Sequence, residues 1–501
     1  MKTPKFLAPL LGSAVLPLVT CRNYSPVIPC SDLKAPNVEG ADLVGITAKE
    51  INSGGVDVCD VDVYLTHGKA GDNVRIQTYL PLRGYTGRFQ GVGGAGMIAG
   101  FFDENLSAAA SSGFAAGSTD AGRPNVTQTD DSWSGNEQLT INFAYLSVHE
   151  MTVVGRGLAE QFYGQPVEYS YWNGCSNGGR QGYVAAQRYP NDYDGIMANA
   201  PGINWDRFLV ADLWGITYNI FHFGGYVVEV AENEFPSSCV WDFIKAAAIK
   251  ACDKLDGGED NIINMPFKCH FDAKSTIGQK ACNATITHTQ ARIWNDIIDG
   301  PRDDKGNNVW GGLLPGTDIS ILGGSSPFEI GAIWVASFVE KNRQFDVSTI
   351  PKNELYAEMR KSESMYRSVM GGDNPDLSDF RDAGGKLITF HGLVDQILPV
   401  FGTVNYRQRV EKLLGGNEAV NEFYRLFLAP GVDHCALGVG GIGAQPSDPF
   451  SQLVNWVENG VAPEVMPAKS GIGERNLCPF PKDLVYTGKG NLTQASSWTC
   501  K

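Results

Sequence analysis

The 501 residues contain no Cys-x-x-Cys pair, which argues against a zinc ribbon or a thioredoxin-type redox site. They also lack a surplus of positive charge. Forty Lys and Arg against 55 Asp and Glu give a net charge of −15, which argues against a nucleic-acid partner and against adsorption on an anionic membrane. That charge suits, without requiring, a secreted protein working in mildly acidic surroundings. Beyond the N-terminal stretch no segment is long and apolar enough to span a bilayer, and no internal repeat or low-complexity tract occurs. Charged residues make up only 19% and hydrophobic ones 43%, the balance of a compact chain rather than a disordered one. The length predicts two domains, or one domain with a large insertion.

Lys2 and Lys5, followed by a short, mostly apolar run from Phe6 to Val19, read as a signal peptide over residues 1–21. The run is too short for a spanning helix, and Pro9 and Pro17 weaken it further. Cleavage after Cys21, with Val19 at the third position back, leaves ten of the 11 cysteines; cleavage after Ala14 is the alternative. Ten cysteines behind an export signal mean disulfides rather than metal thiolates. Sequons at Asn23, Asn105, Asn125, Asn283 and Asn491 agree with a secretory route and an extracellular location.

Val74 to Pro81 alternates and is β-rich, so it reads as a strand. Arg88 to Val92 is a second strand running into Gly93-Gly94-Ala95-Gly96, and Phe114 to Thr119 a third. Apolar residues at helical spacing fill about 141–163. Glu168 to Trp172 reads as a short buried strand, followed by a turn and a helix from about Gly179 to Arg188. Strands alternating with helices predict an α/β fold with a doubly wound, mostly parallel sheet. From Trp205 to about Gly384 the chain becomes aromatic and loop-rich. The sheet pattern then returns in Lys386 to Phe390 and Phe423 to Leu428. An inserted lid over 205–384 is favoured over a separate C-terminal domain. The core would then comprise 22–204 and 385–501.

Chemistry concentrates at mirrored pairs, Cys175-Ser176 and His434-Cys435. A disulfide holds two Cα atoms about 5.5–6 Å apart. If Cys175 and Cys435 are bonded, Ser176 and His434 become neighbours, a nucleophile held against its base. Ser176 also sits in Gly174-Cys175-Ser176-Asn177-Gly178, the G-x-S-x-G elbow of the α/β-hydrolase fold, whose triad follows in the order Ser, Asp or Glu, His. Ser176, Asp395 and His434 satisfy that order, each just after a predicted strand. The oxyanion donors expected are the N–H of Asn177 and one from the Gly93–Gly96 stretch, assigned to Gly94. Taken singly, the pentapeptide recurs by chance in a chain with 59 glycines, His434 reads as structural and Asp395 as a turn former. Together they point to catalysis. His149 reads as helix packing, and His391 as lining the site near Asp395.

The stretch Gly174-Cys175-Ser176-Asn177-Gly178-Gly179-Arg180-Gln181-Gly182 continues into Ala186-Gln187-Arg188-Tyr189-Pro190 and Asp194-Gly195-Ile196. With His391-Gly392-x-x-Asp395 and His434-Cys435, it resembles the tannase and feruloyl esterase family over nearly the whole mature length. The resemblance implies a secreted serine esterase with a lid, acting on phenolic acyl esters, and a Cys175–Cys435 disulfide beneath Ser176 and His434. A feruloyl esterase acting on plant cell-wall hydroxycinnamate esters leads, and a tannase follows. A non-catalytic wall-binding protein of the same fold and a serine peptidase are the rival readings. Aromatic residues including Trp205, Trp214, Tyr218, Phe221, Trp241, Trp310 and Trp334 offer an apolar slot for the acyl ring, although most belong to lid core.

Asp253, Asp256 and Asp260 surround a double glycine, hard oxygen ligands on a turning loop that suit Ca²⁺. Their spacing is not that of an EF-hand, and a solvated acidic turn explains the composition equally well. The resemblance implies a structural Ca²⁺ on these three side chains and on the carbonyls of Gly258 and Ile262, as a lid brace remote from the chemistry. Cys252–Cys269 would close this loop, Cys478–Cys500 would pin the tail and Cys30–Cys59 lies near the start. Cys239–Cys282 remains by elimination. The family's further pair after the calcium loop lacks a member here.

Overall fold

The computed structural model describes residues 23–123, 127–215, 220–223, 226–229, 236–324 and 326–501. The expected signal peptide, Asn125 and Tyr218 lie outside the described residues, as does the side chain of Phe221.

Nine strands form one sheet: β1 (Asp42–Ser53), β2 (Val56–Thr66), β3 (Val74–Pro81), β4 (Arg88–Val92), β5 (Phe114–Thr119), β6 (Tyr169–Cys175), β7 (Gly195–Asn199), β8 (Lys386–Gly392) and β9 (Tyr424–Ala429). Their spatial order is β1-β2-β3-β5-β4-β6-β7-β8-β9. From β5 to β9 every pairing is parallel, while β1/β2, β2/β3 and β3/β5 are antiparallel. The expected parallel sheet therefore carries an antiparallel extension. Its β1–β2 hairpin turns on Gly54-Gly55, both at positive φ, as a two-residue hairpin requires.

Four helices position the site: α1 (Glu104–Ser111), α2 (Ser147–Tyr163), α3 (Asn177–Arg188) and α4 (Pro449–Asn459). Several of their ends have a local cause. α4 begins where the Asp448 side chain accepts the Ser451 N–H with Pro449 at the first turn, and ends at left-handed Gly460. α2 stops at left-handed Gly164. α2 and α3 pack on one face of the sheet through Met151, Val154, Leu158 and Tyr183. α1 and α4 cover the other through Leu106, Ala109, Leu453 and Trp456. The sheet is thus doubly wound.

Strands on both sides of 205–384 share this sheet, and the described residues of that stretch contribute none. Its cores are aromatic. Trp205, Trp214, Trp310 and Trp334 are buried together with Trp133 and Phe143 of the preceding chain, and Trp241 packs with Trp294 in a second cluster. Residues before and after position 205 therefore share one core. Among the described residues five disulfides join Cys30–Cys59, Cys175–Cys435, Cys239–Cys282, Cys252–Cys269 and Cys478–Cys500.

Candidate active site

β6, β8 and β9 deliver Ser176, Asp395 and His434 to the same edge of the sheet, each within a few residues of a strand's C-terminal end. Ser176 has φ +63°, a conformation that costs a non-glycine residue energy and marks a tight turn. The turn needs glycine on both sides. A Cβ on Gly174 would meet the backbone of Gly178 at 2.5 Å, and one on Gly178 would approach the Gly94 carbonyl at 3.0 Å.

Asp395 and His434 are both buried, and Asp395 Oδ2 lies 2.7 Å from His434 Nδ1. Oδ1 accepts the N–H groups of Ile397 and Leu398 at 2.9 and 2.8 Å. Burial pushes the Asp395 carboxyl upward, but the charges and hydrogen bonds of His434 and His391 outweigh it and hold it well below the ordinary carboxylate range. His391 Nε2 reaches the same Oδ2 at 3.1 Å, and its Nδ1 meets Thr403 Oγ1 at 2.8 Å. The expectation that His391 lines the site is corrected. It stands behind Asp395 and is absent from the cavity wall.

The Cys175–Cys435 bond holds the flanking Cα atoms 6.0 Å apart, and Ser176 and His434 line one cavity of about 940 Å³. No Ser176 Oγ–His434 hydrogen bond closes in this resting geometry. Such bonds commonly tighten only when substrate is bound. His149 pairs with Asp192 at 2.8 Å and stacks on Tyr189, a packing role.

Asn177 begins α3, and its N–H has no acceptor among the described residues. Gly94 departs from expectation, because its N–H donates to Gln181 Oε1 at 3.1 Å. A donor already committed inside the protein cannot serve an oxyanion, so the Gly94 assignment is corrected. The next residue, Ala95, lines the cavity, and its N–H meets no acceptor among the described residues.

Two side chains that received no role from the sequence lock this arrangement. Gln181 holds Gly94 and, through Nε2, the Ala99 carbonyl at 2.7 Å. Fully buried Arg180 holds Asn177 Oδ1 at 2.9 Å and the carbonyls of Ala144 and Phe143 at 2.9 and 3.1 Å. Burial, with Arg123 nearby, lowers the Arg180 guanidinium to about 9. The five described tryptophans suggested for an acyl slot are buried in the cores and line no part of the cavity. Its lining instead includes Ile330, Ile397, Gln128 and Leu437.

In the acidic loop Asp253 accepts the N–H groups of Asp260 and Asn261, and Asp256 accepts Gly258 N–H and Asn264 Nδ2. Asp260 accepts Ile262 N–H and pairs with Arg475 at 2.7 Å. Three carboxylates against one guanidinium leave two negative charges, a balance and donor chemistry that fit Ca²⁺. The side-chain directions do not follow suit. Each carboxylate is turned onto N–H donors, and among the described residues no three Asp, Glu, His or Cys side chains converge as ion ligands. The loop is also less remote than expected, since Ile262 packs against Gly431, three residues before His434.

A family model described as tannase and feruloyl esterase matches residues 59–501. A probable feruloyl esterase of Arthroderma benhamiae is 38% identical over 94% of this chain and 93% of its own length. Feruloyl esterase B of Aspergillus niger is 31% identical over 93% and 90%. The crystal structure of feruloyl esterase B from Aspergillus oryzae aligns with a TM-score of 0.81 at 26% identity, covering 93% of this chain and 98% of that one. Tannin acyl hydrolase from Aspergillus niger aligns at 0.82 and 25%, covering 93% of each. The chain belongs to the tannase and feruloyl esterase family and is a carboxylic ester hydrolase.

Proposed function

We propose that this chain is a secreted serine esterase that frees hydroxycinnamic acids from plant cell-wall esters. The observation that carries the reading is the Asp395–His434 pair and the disulfide-tethered Ser176, brought to one cavity. His434 takes the Ser176 proton as Oγ attacks the ester carbonyl, and the tetrahedral anion falls to the N–H groups of Asn177 and Ala95. His434 then protonates the departing alcohol, leaving an acyl-Ser176 that water hydrolyses by the same route. Asp395, fixed by two imidazoles and two N–H groups, keeps His434 in its working tautomer.

The printed names of the Arthroderma and Aspergillus relatives support the feruloyl group. The equally good superposition on a tannin acyl hydrolase keeps galloyl esters as the second reading. The acidic loop would hold a structural Ca²⁺, with Asp253, Asp256 and Asp260 turning to it. Exposure of the described sequon residues Asn23, Asn105, Asn283 and Asn491 supports secretion. Methyl esters of ferulate, p-coumarate, caffeate and gallate, tested with wild type and Ser176→Ala, decide the matter. Hydroxycinnamates should turn over fastest and only in wild type. Preference for gallate would favour the tannase reading, and absence of turnover would leave a wall-binding protein.

A further inference from the structure

α1 faces the catalytic cavity along its whole length. Glu104, Asn105, Ala108, Ala109 and Ser112 all line it, at the spacing of one helical face. The helix follows β4 directly, so its first turn stands at the C-terminal edge of the sheet, the edge that carries Ser176. The Phe101 N–H donates to the Gly93 carbonyl at 3.3 Å, which ties the approach to this turn to the loop that holds Ala95. Exposed lining residues mark where the cavity opens. They include Glu104, Asn105 and Ala108 on α1, and Gln128, Leu437 and Ser451 on other segments. Asn105 is therefore on the rim.

Asn105 also opens the sequon Asn105-Leu106-Ser107. The other described sequon residues, Asn23, Asn283 and Asn491, are not part of the cavity lining. The Asn105 backbone N–H donates to the Phe102 carbonyl at 3.1 Å, but its side-chain amide meets no partner among the described residues. At Asn491, by contrast, Oδ1 accepts the Thr493 N–H at 3.0 Å. An exposed amide with no contact to lose is a suitable anchor for a sugar.

Ser107 fixes the order of events. In the fold it is buried, and its hydroxyl donates to the Asp103 carbonyl at 2.7 Å. The sequon must therefore be read before α1 closes, while the chain is still entering the secretory lumen. There Asn105 Nδ2 bonds to the anomeric carbon of an oligosaccharide carried on a polyprenyl diphosphate. The C–O bond to the diphosphate breaks and the Nδ2 proton is released. We infer that Asn105 carries an N-linked glycan that forms one lip of the catalytic cavity and narrows the way to Ser176. A glycan is bulkier than any side chain and extends the α1 wall outward. The cavity, about 940 Å³, leaves room for a small reagent to pass such a lip, whereas a bulky one is delayed.

This lip rests on the secretory part of the function proposed above. The full-length chain is expressed with its leader in a eukaryotic host, and glycopeptide mass analysis of the medium should find Asn105 occupied. Ser176 is then labelled with a small dialkyl fluorophosphonate and with one joined to a bulky dye. Endoglycosidase trimming of the folded protein and Asn105→Gln should each raise the bulky-to-small rate ratio several-fold. Asn283→Gln, at an exposed sequon outside the lining, should leave the ratio unchanged. Should Asn105→Gln fail to fold, trimming of the wild type decides. A secreted chain bare at Asn105, a ratio that ignores trimming, or an equal shift in Asn283→Gln overturns the lip alone. Retention of the chain inside the host overturns the secretory reading as well. A Ser176 that neither reagent labels overturns the esterase reading and the lip with it.

Discussion

Asp395 Oδ2 serves two imidazoles at once, His434 Nδ1 at 2.7 Å and His391 Nε2 at 3.1 Å. His434 is thus oriented by a carboxylate that is itself anchored from behind. Removing the carboxylate charge should be far more damaging than removing its rear partner. Asp395→Asn is expected to lower kcat by about 10³–10⁴-fold, because His434 loses its tautomer control. His391→Gln leaves the Asp395–His434 bond in place and should cost about 10- to 100-fold. Steady-state kinetics on methyl ferulate separate the two; equal losses would contradict the hierarchy.

The Cys175–Cys435 bond closes a loop across 260 positions of sequence. Replacing both cysteines by alanine should lower stability by about 2–4 kcal/mol. It should also lower kcat/KM by about 100-fold, since roughly 1 Å of drift between Ser176 and His434 has that effect. Denaturant melts and kinetics on the same preparation check both parts. Unchanged kcat/KM in a folded double variant would remove the bond from the catalytic account.

A second imidazole links pH to stability. Buried His67 places Nδ1 2.5 Å from Asp72 Oδ2 and Nε2 2.6 Å from Glu150 Oε1, joining the loop after β2 to α2. The Glu150 hydrogen bond, followed by those to Asp72 and both charges, lifts His67 to about 9 against the opposing effect of burial. A raised folded-state value stabilises fully below the ordinary 6.5 and the gain disappears as pH rises through about 9. Tm should therefore fall across that window more steeply in wild type than in His67→Gln. Parallel curves would contradict the assignment.

Much of this was legible in advance, and the exceptions are physical. Strands such as Val74–Pro81 and Arg88–Val92 declare themselves by composition and bounding turns, and the grouping of Ser176, Asp395 and His434 at one sheet edge by their order after strands. The β1–β2 hairpin had a usable signal in Gly54-Gly55 flanked by the alternation of Val56 to Val63. Its first strand is largely exposed, which hides it. That Gln181 would occupy the Gly94 N–H depends on a contact between residues 87 positions apart, and no local pattern encodes it. Nor does a tryptophan's identity say whether it fills a core or faces a substrate.

If the acidic loop binds Ca²⁺, metal analysis of purified protein should find about one equivalent, and chelation should lower Tm. Asp256→Asn should reduce both the metal content and the response to chelator. Because Ile262 touches Gly431 ahead of His434, chelation should also slow turnover. No metal and no chelator effect would leave a hydrogen-bonded acidic turn closed by Arg475.

Ser176 alone should be the activated nucleophile, and covalent trapping is the decisive measurement. A fluorophosphonate followed by intact-mass and peptide analysis should give one adduct per chain, on Ser176. Labelling should be abolished in Ser176→Ala and slowed strongly in His434→Ala. An adduct on another residue, or labelling whose rate ignores His434, would contradict the account.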